Sequence, residues 1–164
     1  MPFVGKKGPG AATPSCPVTA VLHPLANTVV FAPNAEKKPL YVAWYGIFSD
    51  VSATCKITGD TLSASLDDII VAERGPAART ENSVTLTYFV ALTAADQSIL
   101  GKKTFVVNVA VPPDAKRGGV TDHVEVAFNI AGHPISDVNI MVGLQLSPDA
   151  IEYFKHYPGR GSGF

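Results

Sequence analysis

Charge is scarce in this chain. Only 16% of its 164 residues are Asp, Glu, Lys or Arg, against about 25% in an average soluble domain. The 13 basic and 14 acidic residues leave a formal net charge of −1. No field of one sign therefore draws the chain to nucleic acid or to an anionic lipid surface. No apolar run approaches the ~18 residues of a membrane-spanning helix. Cysteine occurs twice, at Cys16 and Cys55, and never as CxxC, which leaves nothing to support a redox role. There is no GxSxG and no Gly-rich phosphate loop ahead of a helix, so the common nucleophile and nucleotide signatures are missing. Tryptophan occurs once, at Trp44.

What is present is alternation. In Leu40 to Phe48 one face holds Leu40, Val42, Trp44, Gly46 and Phe48, and the other Tyr41, Ala43, Tyr45 and Ile47. Period two with aromatic and β-branched residues reads as a strand, and bulk on both faces reads as a central one. The run continues to Thr58, with Gly46 suggesting a bulge or bend and Gly59-Asp60 a turn. The clearest strand sets Val84, Leu86, Tyr88, Val90 and Leu92 against Thr85, Thr87, Phe89, Ala91 and Thr93. Others read at Pro17–Leu22, resumed at Thr28–Phe31 after His23-Pro24, and at Leu62–Ala72, Phe105–Val111, Val120–Ile130 and Val138–Leu146. A strand broken by Pro belongs at a sheet edge. Ile99 and Leu100 lead to Lys102 and Lys103, read as a turn, and Pro112–Gly119 reads as a hairpin-like loop. Asp68 would point inward if the alternation held. A bulge there is the cheaper reading, because a lone buried carboxylate is costly.

These observations predict an all-β fold: an antiparallel immunoglobulin- or fibronectin-III-like sandwich of about seven strands, with an open barrel as the alternative. Residues 1–15 form a Gly/Pro/Ala-rich lead-in and residues 16–147 the sandwich. A short helix covers 148–157 and a tail 158–164. Ser147 as N-cap, Pro148 in the first turn and Asp149 at the positive end of the dipole mark the helix start. Ile151 and Phe154 are expected to pack inward, leaving Tyr153, Tyr157 and Phe164 to meet a partner.

Two cysteines in such a sandwich predict one disulfide, Cys16–Cys55, and an oxidising compartment. Met1–Ser15 has two lysines but no apolar stretch after them, so it does not read as a signal peptide; export would rest on a leader removed before this numbering. Thr13-Pro14-Ser15-Cys16 is a poor lipidation box.

Catalytic and metal constellations are weak. His123 and Glu125 share a strand face with Asp122 on the other, and two ligands do not make a zinc site. Cys55 and Met141 lack the nearby histidines of a copper centre. Asp67 and Asp68 point to opposite faces and cannot act as a glycosidase pair. Ser162 sits in the tail with nothing to position it. Tyr41, Trp44 and Tyr45, with Phe48, offer a stacking platform for sugar or lipid if one face is open; inter-sheet packing is the plainer use.

Several stretches taken together resemble a known family. They are Cys16-Pro17-Val18, Phe31-Ala32-Pro33, Val51 to Cys55, Val71 to Ala77, Tyr88 to Leu92, Ile99-Leu100 before Lys103, and Val142 to Pro148. In that order and spacing they resemble uncharacterised envelope proteins, often lipoproteins, of Alphaproteobacteria, over residues 16–157. The resemblance implies an exported domain near a membrane and carries no catalytic residues. The expected molecule is a non-catalytic periplasmic or membrane-associated module without a cofactor. It would be an accessory or structural subunit docking on proteins of an envelope complex, with a sugar- or lipid-binding module as the alternative.

Overall fold

Period-two burial organises the computed structural model, which describes residues 16–78 and 80–158. Eight strands form among these residues: β1 (Val18–Val21), β2 (Asn27–Phe31), β3 (Val42–Thr58), β4 (Thr61–Arg74), β5 (Ser83–Ala94), β6 (Ile99–Ala110), β7 (Arg117–Asn129) and β8 (Val138–Leu144). One helix, α1 (Pro148–His156), follows. The strands make two four-stranded sheets in the orders β1-β8-β5-β6 and β2-β3-β4-β7. The antiparallel sandwich predicted from the alternation is therefore the architecture, with one strand more than the pattern indicated. The strand order is not the A-B-E-D arrangement of immunoglobulin constant domains, so the likeness is one of layers.

The extra strand comes from the His23-Pro24 break. Residues His23–Leu25 form a 3-10 turn, which moves the chain from the edge of one sheet to the edge of the other. β1 pairs parallel to β8 and β2 antiparallel to β3. Both edge positions suit a Pro-interrupted segment. β3 is central, as its two apolar faces predicted, and turns into β4 through Gly59-Asp60, with Gly59 at φ +61°. The core lies between the sheets. Trp44, Phe48, Leu62, Leu66 and Ile70 from one meet Leu86, Tyr88, Val90, Leu92 and Val142 from the other. Phe48 packs edge-on to Tyr88 at 5.6 Å, and Phe105 stacks on Tyr88 at 5.4 Å.

Four local expectations need correction. Gly46 keeps a regular register; β3 is irregular at Ala43 against β2 and, against β4, between Phe48 and Asp50, opposite Ile69 and Ile70. That places the bulge on the neighbour of β4, so β4 keeps its alternation and Asp68 is carried fully inside. Lys102 and Lys103 are not a turn; they lie within β6, an edge strand, where exposed lysines deter further strand pairing. The connection after Ala110 is not a hairpin, because β6 and β7 belong to different sheets.

Helix α1 begins as predicted: the Ser147 hydroxyl accepts from the Ala150 N–H at 3.1 Å. Its buried face is different. Ala150 and Tyr153 are buried against Val29 and Val42, with Phe31, Tyr45, Phe154 and Tyr157 packed around them. Ala150, Tyr153, Phe154 and Tyr157 stand at i, i+3, i+4 and i+7, a complete helical stripe. Ile151 lies off that stripe and is 48% exposed. No helix among the described residues is long and apolar enough to cross a membrane.

The Cys16–Cys55 disulfide is present and joins the lead into β1 to β3, tying one sheet to the other. Such bonds persist in oxidising compartments. Closing a loop across a separation of 39 residues stabilises by about 4 kcal/mol in the chain-entropy model. Replacing both cysteines by serine should lower the urea-unfolding free energy by up to that amount. On the helix, Tyr153→Ala should cost about 3–5 kcal/mol, whereas Ile151→Ala should change stability by about 0.5 kcal/mol at most. Equal effects of the two helix variants would show that the buried stripe is misassigned.

Candidate functional site

The aromatic residues singled out in the sequence are not brought together. Trp44 faces the core, with the Arg74 guanidinium 5.1 Å from its ring centre. Tyr45 faces the opposite way and packs beneath α1. Tyr41 is half-buried in the 3-10 turn Pro39–Tyr41 that precedes β3. The three make no common platform, because successive side chains of a strand leave on opposite sides. Tyr153, expected on an outer docking surface, is buried, and Tyr157 is half-buried against it at 5.0 Å between rings. Phe164 lies outside the described residues.

The outer face of the β1-β8-β5-β6 sheet behaves differently from an ordinary solvated sheet face. Its middle is apolar. Phe89 and Ala91 of β5 point outward, yet both are buried, and Met141 of β8 lies beside them. Leu22 and Leu25 raise one wall at the 3-10 turn, and Leu146 with Ile151 raises another where β8 passes into α1. Ile99 closes the β6 side and is 64% exposed. The result is a half-open groove of about 560 Å³, within the ~300–1,000 Å³ range of small-molecule sites. Gly143 makes part of its floor possible: a Cβ there would stand 3.0 Å from Leu25 and 3.1 Å from the Phe89 ring. Thr93, Gln97, Asn139 and Gln145 supply neutral polar groups at its margins. Among the described residues, Lys102 is the one charged side chain lining the groove, its Nζ 5.0 Å above the Phe89 ring.

A second cluster lies inside the sandwich. Asp68 of β4 stands directly opposite Asp122 of β7. Tyr88 reaches across from the other sheet and donates its hydroxyl to Asp122 Oδ2 at 2.6 Å. Asp68 and Tyr88 are fully buried, and neither Asp68 oxygen has a hydrogen-bond partner among the described residues. Burial pushes the Asp68 carboxyl up to about 6, Tyr88 offsets part of the rise, and the Asp122 charge adds to it. Burial, with the bond to Asp122, also drives the Tyr88 phenol far upward, so it remains a donor. A carboxyl that keeps its proton avoids setting two like charges opposite each other in the core. On the outer face of the same strands, His123 bridges Asp67 at 2.7 Å and Glu125 at 3.5 Å, and the bonds to both acids raise its pKa. Among the described residues no group of three His, Cys, Asp or Glu is arranged to hold a metal ion.

Sequence reasoning placed Asp68 on the inward set but discounted it on cost. It missed the groove, although Phe89 and Ala91 already stood out among the threonines of the second β5 face.

No family model matches the chain, and no curated protein matches it. Among solved structures, it is similar to the variable domain of the AgI/II polypeptide BspA of Streptococcus agalactiae. The two share 8% identity over 74% of this chain and 73% of that one, with a TM-score of 0.18.

The buried acid sets a pH dependence. The folded pKa of Asp68, about 6, lies above the ordinary value of about 3.9, so between these values the folded chain binds the proton more tightly than the unfolded chain. Its stabilising contribution is complete below about pH 4 and is lost as pH rises through 6, a span on the order of 3 kcal/mol. The raised His123 acts in the same direction at higher pH: its contribution is present below about 6.5 and lost as pH rises through the folded value. Thermal unfolding should therefore show greater stability at pH 5 than at pH 7.5. Asp68→Asn should flatten most of that difference and exceed the unmodified chain in stability at pH 7.5. Parallel pH profiles for the two would overturn the assignment.

Proposed function

We propose that this chain is a non-catalytic module of the cell envelope that works by holding an apolar group in the outer groove of the β1-β8-β5-β6 sheet, as an accessory subunit beside a membrane-associated complex. The observation that carries this reading is the apolar floor of Phe89, Ala91 and Met141 on a sheet face that has no covering layer of its own among the described residues. Antiparallel sheets normally turn polar side chains outward on an uncovered face, and a walled apolar hollow with a few polar groups at its margin is the usual form of a binding site. The Cys16–Cys55 bond favours an exported location, and the envelope-protein resemblance of residues 16–157 agrees with it. A non-catalytic role is favoured by the placement of the strongest acid–base cluster: Asp68 and Tyr88 are sealed in the core, where no substrate reaches them.

The alternative of a ligand-binding module for sugar or lipid at residues 40–48 loses its platform, since Tyr41, Trp44 and Tyr45 face different surroundings. Its apolar-ligand component transfers to the groove.

An uncharged fluorescent probe, N-phenyl-1-naphthylamine, tests the groove directly. It should brighten on binding the native chain and bind at least ~tenfold more weakly to Ala91→Arg, the cost of setting a charge into an apolar floor. Met141→Arg serves as a second variant should the first fail to fold. Folded variants that bind the probe as well as the native chain would exclude the groove as the working surface.

A further inference from the structure

The groove's lining narrows what it accepts. Among the described residues that line it there is no acidic side chain, and the Lys102 ammonium is the single charge. The ammonium sits over Phe89 at 5.0 Å, held above the floor rather than directed away from it. From Lys102 on β6 the floor runs across β5 and β8 to Leu22, just beyond β1. That crosses three inter-strand spacings, about 14 Å. The hollow therefore offers one cationic end and a long apolar run leading from it.

Three occupants compete for such a surface. An extended peptide finds no free backbone partners on this floor, because β1, β8, β5 and β6 are already paired to one another. Laid there, it would bury its own N–H and C=O groups unsatisfied. A helix satisfies its own backbone, but its ~10–12 Å diameter demands a broader trough than a hollow of about 560 Å³. An alkyl chain has no polar groups to satisfy along its length, and a carboxylate at its head complements the ammonium. Charge-assisted hydrogen bonds of this kind are worth about 1.5–3 kcal/mol.

Resting on the groove reading above, we propose that the occupant is a free single-chain carboxylate amphiphile, a medium-length fatty acid. Its head pairs with Lys102, and its alkyl chain lies over Phe89, Ala91 and Met141 toward Leu22 and Leu25. Thr93, Gln97 and Asn139 stand at the margin, where they tolerate water around the head group.

The test compares amphiphiles that share one chain and differ in head group, below their micelle-forming concentrations. Dodecanoate should displace N-phenyl-1-naphthylamine from the native chain. Dodecyltrimethylammonium should do so at least ~tenfold less well. Lys102 is exposed on an edge strand, so Lys102→Glu should fold normally and reverse the order of the two. Lys102→Met should bind them alike. Equal displacement by both head groups on the native chain would overturn the carboxylate assignment while leaving the groove in place. Failure of the native chain to bind even the neutral probe would remove the groove reading itself. Retention on phosphatidylglycerol vesicles without displacement by dodecanoate would point to a membrane surface as the anionic source and overturn the free-fatty-acid assignment.

Discussion

One guanidinium closes the end of the sandwich where the chain twice changes sheets. Arg74, the last residue of β4, donates to the carbonyls of Glu81, Val111, Pro112 and Ala115 and to the Asn82 side chain, at 2.6–3.1 Å. These acceptors lie in the two segments that carry β4 to β5 and β6 to β7. Both are crossings between sheets, and loop carbonyls in such places need donors. A planar group with five donors meets them together, which a lysine with its compact ammonium does not. The guanidinium also rests on the Trp44 ring. Beside it, Glu73 is buried and paired with Arg117 at 2.8 Å, and Gly75 stands where a Cβ would come within 2.2 Å of the Val42 carbonyl oxygen. The stretch Val71 to Ala77, recognisable in sequence but without an evident mechanism, is thus the joint of the two layers.

The alternation of β5, β7 and β8 was legible because each strand has one face in the core, and a half-buried strand fixes its register strongly. Sheet membership was not legible. Nothing in Val18 to Phe31 says that the His23-Pro24 break changes sheets, because either side reads as a short edge strand. The pairing of β1 with β8 joins segments at opposite ends of the described chain, and no local pattern encodes such a contact. Phe154 packs inward as its position suggests, but the rest of the helix face is hard to read because its innermost contact is Ala150, too small to register beside Ile151. Lys102 and Lys103 suggest a turn only where charge is equated with a loop, whereas an edge strand carries lysines without penalty.

Asp68 illustrates a different failure. The pattern placed it inside, and the expected cost of a buried charge argued it out again. That cost applies to the ionised form. A carboxyl that remains protonated escapes most of it, and the opposed Asp122, already accepting from Tyr88, gives the proton a reason to stay. The energetic objection holds for the carboxylate that forms as pH rises through about 6, and lapses for the protonated acid below it. The bulge it invoked does exist, one strand away in β3, where it leaves β4 regular.

The two sheets also differ in how their outer faces are treated. That of β2-β3-β4-β7 carries Ser63, Ser65, Asp67, His123 and Glu125 where it meets water, and α1 covers its apolar corner at Val29, Phe31 and Tyr45. The outer face of β1-β8-β5-β6 has the apolar residues without such a cover among the described residues. In β5 the change falls between adjacent positions: Tyr88 turns inward to Asp122 beside the buried Asp68, and Phe89 turns outward to the groove floor. Core and groove therefore share a strand, hydrogen-bonded on both sides to β6 and β8. A floor built on such a strand is held in place by the backbone ladder, which leaves the walls at Leu25 and Ile151, contributed by a 3-10 turn and the first turn of a helix, as the parts with freedom to adjust to an occupant.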